Sequence, residues 1–177
     1  MANVFTVQND DGSVANANSY ITEAEFDTYV DDRGLSHSHI QTQIETACVM
    51  ATDYIDYRFN YVGKKRSQDQ TTEWPRYDAT DRDERLVTGI PIAVKEACAE
   101  LAWASASAAT GELVTNPDRD SLGQVVESSR VKVDVIEAET EYMGGGVFSM
   151  PKYPRADMKL VRAGLVLSTL GGDVRRA

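Results

Sequence analysis

At 177 residues the chain is long enough to bury a hydrophobic core as a single domain without help from metals or disulfides. A formal net charge of −10 argues against a general coat on nucleic acid, because that binding is driven by Lys and Arg displacing condensed counterions. With only two cysteines and no window approaching the roughly 18 apolar residues of a membrane span, a disulfide framework and a transmembrane helix are both disfavoured, and a cytoplasmic protein is expected.

Residues 1–18 are rich in Asn, Asp, Gly and Ser, with Val4, Phe5 and Val7 spaced as in one short strand. They read as an extended N-terminal arm that needs a neighbour to become ordered. A first helix is signalled over Glu23 to Arg33. Thr22 and Glu25 make a capping box, Ile21 and Phe26 can form a hydrophobic staple around it, and Gly34 follows the far end.

The strongest periodicity runs from Ser38 to Phe59. Ile40, Ile44, Ala47, Cys48, Ala51, Tyr54, Ile55 and Phe59 recur at steps of three and four and trace one helical face. A polar loop then extends from Gly63 to Gly89, carrying Lys64, Lys65 and Arg66 at its start and Trp74-Pro75-Arg76 in its middle. A loop that long in a compact domain usually has a contact to make.

Pro91 suits the first turn of a third helix, Ile92 to Thr110, ended by Gly111. Val94, Ala97, Cys98, Leu101 and Ala108 lie along one side of it, and small residues elsewhere let neighbours approach, so it reads as the central helix. Val131, Val133 and Val135 alternate like a half-buried strand, with Val125 and Val126 a candidate partner. Gly144, Gly145 and Gly146 suggest a hinge, and Pro154 to Ser168 a last helix with Met158, Val161, Leu165 and Leu167 as its apolar positions.

The expected architecture is mainly α: a bundle of about four helices with a small β-hairpin or strand element and extended termini. Its expected parts are the arm at 1–18, the helical-bundle domain at 19–143 and a hinged docking segment at 144–177. Residues 150–177 carry a net charge of +4 against −14 for the rest, which invites contact with an acidic surface.

Catalytic machinery is not visible. His37 and His39 have no Cys or carboxylate at the spacings of a closed zinc site, and they read as exposed or capping residues. No Ser sits in a Gly-x-Ser-x-Gly elbow, and Gly63-Lys64-Lys65 lacks the upstream glycine and following hydroxyl of a phosphate loop. Asp78, Asp81, Asp83 and Glu84 are interrupted by Arg82 and Arg85, which disfavours a divalent-ion site. Paired carboxylates such as Asp53 and Asp56 read as a solvated face. No catalytic, cofactor or metal-binding residue is therefore assigned, and the chain is expected not to be an enzyme. Tyr54, Tyr57, Phe59 and Tyr61 interleave with Arg58, Lys64, Lys65 and Arg66, a pattern that could stack and hold single-stranded DNA if the rings were exposed.

Several elements in order resemble a known family: Asn18-Ser19-Tyr20-Ile21, Ala51 to Asp56, Gly63 with Lys65-Arg66, Gln70, Trp74-Pro75-Arg76, Ile90-Pro91 and Ala97 to Ala102. The ending from Tyr153-Pro154-Arg155 to Gly171-Gly172 is also similar. The family is that of the phage DnaT-like single-stranded-DNA-binding proteins, whose members look like head–tail connector adaptors. The resemblance implies a structural virion protein at the head–tail interface, found in the host cytoplasm during assembly. It implies a dodecameric homo-oligomer ring beneath the portal protein, with further tail-side connector or tail proteins below. Packaged DNA would pass through without sequence-specific binding, and no membrane would be involved. On that reading Lys152, Arg155, Lys159, Leu160, Arg162, Leu165, Arg175 and Arg176 contact the portal or a neighbour, and Lys64, Lys65, Arg66, Trp74 and Arg76 make loop contacts. A single-stranded-DNA-binding module is the alternative.

Overall fold

A computed structural model describes residues 4–108, 111, 113, 126–132, 137–142 and 152–169. The fold is mainly α with small β elements, as expected. The chain divides into two compact units, one formed by Met1–Leu113 with Pro151–Ala177 and the other by Val114–Met150. The first unit thus contains both the N-terminal arm and the last helix.

Helix α1, Glu23–Asp31, begins at the capping box read from sequence: the Thr22 side chain accepts from the Glu25 N–H and the Glu25 carboxylate accepts from the Thr22 N–H at 2.8 Å. Gly34, at φ +63°, follows its end, and Phe26, Tyr29 and Val30 are its buried face. Helix α2, Gln41–Arg58, starts where the Gln43 side chain accepts from the Ile40 N–H, and it buries Ile44, Ala47, Cys48, Ala51, Tyr54 and Ile55 of the expected face, while Ile40 is exposed ahead of it and Phe59 falls in the strand that follows.

Helix α3, Ile92–Ser107, packs against α1 and α2, and also against helix α4, Pro154–Arg162, which makes it the central helix. Ala97, Ala99 and Ala102 lie buried along it, so these small side chains let the neighbouring helices come close. It stops short of the expected Thr110, and Ala108 is exposed rather than part of the packed face.

The chain leaves α2 directly into strand β1, Phe59–Tyr61, and then forms the ribbon of β2, Lys64–Lys65, and β3, Arg76–Tyr77. The 63–89 segment is folded onto its own chain rather than held out for a partner. Trp74 and Ala79 have no exposed surface, Gln70 and Thr72 are buried, and the Val87 N–H closes on the Ala79 carbonyl at 2.8 Å.

The arm is likewise stitched to its own chain. Gln8 donates through its backbone to the Ser19 carbonyl at 2.8 Å and through its side chain to the Thr72 hydroxyl at 3.1 Å. The Thr71 hydroxyl donates to the Ala17 carbonyl at 2.6 Å, and the Ile90 N–H to the Asp10 carboxylate at 3.0 Å. The neighbours that hold the arm are the 70–72 loop and Ile90 of the same chain.

The last element departs from its expected extent. Helix α4 ends at Arg162 because Gly164 takes φ +74°, with its N–H on the Val161 carbonyl and that of Leu165 on the Leu160 carbonyl. A Cβ at Gly164 would sit 2.6 Å from the Arg82 backbone, so the turn also needs glycine for close approach. Beyond it the chain forms strand β6, Val166–Thr169, antiparallel to β1, with Phe59 opposite Thr169 and Tyr61 opposite Val166. Leu165 is buried just before that strand, while Met158 and Leu167 are exposed.

In the second unit, β4, Val126–Lys132, pairs antiparallel with β5, Glu137–Tyr142, Lys132 facing Glu137 across the ladder. The hairpin exists as expected, but residues 131–132 belong to its first strand and the partner strand lies beyond 136. The glycine hinge at 144–146, Gly171-Gly172 and the termini Arg175 and Arg176 lie outside the described residues.

Candidate functional site

Two places carry the residues singled out from sequence, the β2–β3 ribbon and helix α4. On the ribbon, Lys64 stands directly opposite Tyr77 and Lys65 opposite Arg76. Alternation along a strand sends neighbouring side chains to opposite faces, so Lys64, Arg66 and Tyr77 share one face and Lys65 and Arg76 the other.

The second of these faces is closed by ion pairs. Glu73 accepts from Lys65 at 3.1 Å and from Arg76 at 2.6 Å, and Arg76 also donates to the carbonyls of Val62 and Gly63 at 2.8 and 2.9 Å. Trp74, expected as a loop contact, is a core residue with no exposed surface, its ring edge-on to Tyr61. Lys65, Trp74 and Arg76 therefore fold the loop instead of presenting it outward. Lys64 and Tyr77 remain on the outside, with Arg66 half-buried beside them. Tyr77 is half exposed, and the Arg66 guanidinium lies 4.7 Å from its ring centroid.

Of the aromatics interleaved with cations, Tyr54, Phe59 and Tyr61 are buried and only Tyr57 is exposed. Arg58 is buried as well and reaches Asp157 of α4 at 3.0 Å. The stacking surface implied by the linear pattern is thus mostly core. Tyr77 was not singled out from sequence, since its place opposite Lys64 depends on the register of a ribbon joined by a ten-residue loop.

Helix α4 brings its cations onto acids of the same chain. Lys159 donates to Glu96 at 2.6 Å, and the guanidinium of Arg155 meets Glu100 at 2.9 Å. Glu96 and Glu100 are one turn apart on α3, and both also face α1: Glu96 lies 3.8 Å from Arg33, and Glu100 accepts from the Tyr29 hydroxyl at 2.7 Å. Burial and Glu100 push the Tyr29 hydroxyl well above its ordinary range, so it stays a donor. Leu160 and Leu165, expected to meet a neighbouring ring, have 0% and 1% of their surface exposed and belong to this chain's core. Lys152 and Arg162 are exposed. The acidic surface that the basic segment was expected to seek is, for Arg155 and Lys159, the chain's own α3.

A third cluster surrounds the histidines. His37 and His39 stack at 5.5 Å with Trp103 edge-on to both, and His37 lies against Phe26 and 3.1 Å from Asp27. Both rings are half-buried parts of an aromatic cluster rather than exposed or capping groups. No group of three or more metal-ligating side chains occurs among the described residues, and no helix among them is long and apolar enough to cross a membrane.

Asp56, expected on a solvated face, is instead a half-buried acceptor for the Tyr20 hydroxyl at 2.6 Å and the Glu73 N–H at 3.0 Å. Burial pushes its carboxyl up to about 7, against the opposing pull of those two donors.

Residues 5–175 match the model of the family described as "Putative DnaT-like ssDNA binding protein". The match spans nearly the whole chain, which therefore belongs to that family. No curated protein and no solved structure matches it.

Proposed function

We propose that this chain is a non-enzymatic structural subunit of a tailed-phage virion, an adaptor that forms a homo-oligomeric ring beneath the portal and continues the DNA channel toward the tail. The observation that carries the reading is the build of the chain. A helical unit that pairs Arg155 and Lys159 of α4 with its own α3 is interrupted between those helices by a separately compact β unit, Val114–Met150. A closed body with an inserted module suits a part that is held by neighbours through its surfaces rather than one that turns over a substrate. The ordered sequence elements that resemble connector adaptors support the same reading, as does the acidic balance, which keeps passing phosphates from sticking.

On this reading Arg162, exposed on α4, meets the portal or a neighbouring subunit, together with Arg155, whose side chain stays largely exposed beside Glu100. Electron microscopy of the chain mixed with the portal protein of its phage tests this. A closed ring seated on the portal is expected, whereas a chain that stays monomeric and leaves the portal bare overturns the reading.

A second reading, binding of single-stranded DNA, is favoured by the family description and by the cation-bearing face of the β2–β3 ribbon. It requires a mobility shift of an oligonucleotide at low salt, and its absence there removes it.

A further inference from the structure

We propose that Tyr77, Lys64 and Arg66 form a docking site for single-stranded nucleic acid, with a base stacked on the tyrosine ring and flanking phosphates held by the two cations. The inference rests on the second reading above and locates it in the fold.

Three observations converge on this face. The ribbon register sorts the run Lys64-Lys65-Arg66 by face, so that the middle cation is neutralised by Glu73 while the outer two flank Tyr77. Lys64 is exposed and, among the described residues, its ammonium has no ion-pair partner. Tyr77 is 51% exposed although large and aromatic, while Tyr61 and Trp74 are buried, so Tyr77 is the ring that the ribbon itself displays.

The ribbon is also built to hold this geometry. Gly63 takes φ +75°, and a Cβ there would meet the Tyr77 carbonyl at 2.4 Å, so the strands approach as closely as only glycine allows. Arg66 is oriented by its stacking on Tyr77 and by a 3.4 Å hydrogen bond to the Asp10 carbonyl. A guanidinium over one face of the tyrosine backs the ring with positive charge and offers N–H groups to a phosphate. Bases of every type have a π-face, so such a site takes single strands without reading sequence. Asp11, whose carboxyl is lowered first by its hydrogen bonds from Ser13 and further by the charge of Arg66, stands near this face, and the chain as a whole is acidic. Binding is therefore confined to low ionic strength.

Fluorescence anisotropy of the full chain with a labelled thymidine 20-mer at low salt tests the site. Tyr77→Ala is expected to weaken binding by roughly 5- to 150-fold, the range for loss of one stacked base, while Tyr77→Phe stays near the parent. Lys64→Ala should flatten the dependence of log affinity on log salt by about 0.7, one single-strand phosphate contact. Arg82→Ala, an equal loss of charge elsewhere, should leave Tyr77-dependent binding in place. Tyr77 is half exposed, so the variants should fold, and an unchanged thermal melt checks this.

If the parent binds the oligonucleotide and Tyr77→Ala binds it equally well, the site is wrong while the single-strand reading survives. Equal affinity for a blunt duplex, indifferent to Tyr77, overturns the stacking. If the parent does not bind at all, the site and the reading fall together.

Discussion

The Tyr20 hydroxyl donates a 2.6 Å hydrogen bond to Asp56, joining the segment before α1 to the last turn of α2. The same hydroxyl oxygen accepts from the Trp74 N–H at 3.0 Å, so one phenol fastens the long loop to the helical body. Tyr20→Phe leaves a buried N–H and a carboxylate oxygen without partners, each costing about 1–3 kcal/mol. A total loss of about 2–6 kcal/mol is expected from urea unfolding. A loss below about 0.5 kcal/mol would mean that the network contributes nothing to stability.

The pH dependence follows from the same carboxyl. Held up to about 7 in the folded chain and near 3.8 when unexposed to these neighbours, Asp56 binds its proton more tightly folded than unfolded. Its contribution is therefore full below the unfolded pKa and is lost as pH rises through 7. The urea midpoint should fall between pH 5 and pH 8, and Asp56→Asn should remove most of that fall. A variant that keeps the parental slope would assign the titration to another group.

Helix α4 is predicted to be part of the folding unit. Arg58→Ala strands Asp157, whose carboxyl burial already holds above its usual range, and should cost on the order of 3 kcal/mol. Lys159→Ala, at a more exposed pair, should cost under about 1 kcal/mol. Leu160→Ala should cost about 2–5 kcal/mol. Ending the chain after Gly146 removes Ala156, Leu160 and Leu165 from the core together, so loss of the cooperative transition in circular dichroism is expected instead of an intact bundle. A truncated chain that melts like the parent would restore the hinged-arm picture.

Gly63 and Gly34 both sit at positive φ but differ in surroundings. An alanine Cβ at Gly63 would lie 2.4 Å from the Tyr77 carbonyl, whereas one at Gly34 has nothing within 4 Å. Gly34→Ala should cost about 1 kcal/mol for its backbone conformation alone, and Gly63→Ala clearly more because the ribbon must part. Equal costs in chemical denaturation would contradict the close approach.

Cys48 and Cys98 are free and buried on the facing helices α2 and α3, with the Cys98 thiol 3.4 Å from the Thr52 hydroxyl. Burial pushes the Cys98 thiol up to about 12 and that of Cys48 beyond, so neither supplies thiolate near neutral pH. A thiol reagent such as Ellman's should react with both only in denaturant. Stoichiometric reaction of the native chain would place a thiol at the surface.

Local sequence determined the helices, because their signals need no distant partner. The Thr22–Glu25 box lies within four residues, and the α2 periodicity repeats inside a single element, so both were legible from spacing alone. Composition likewise separated a basic ending from an acidic body. Tertiary structure decided where those charges go. Arg155 and Lys159 meet Glu100 and Glu96 across some 55 to 65 positions of chain, and nothing local distinguishes that pairing from one with another subunit. It also decided which of Lys64, Lys65 and Arg66 are displayed, since that rests on the register with Arg76 and Tyr77. A one-residue slip in a ribbon exchanges its two faces, so the outward face is fixed by packing of the loop and not by the order of residues along it.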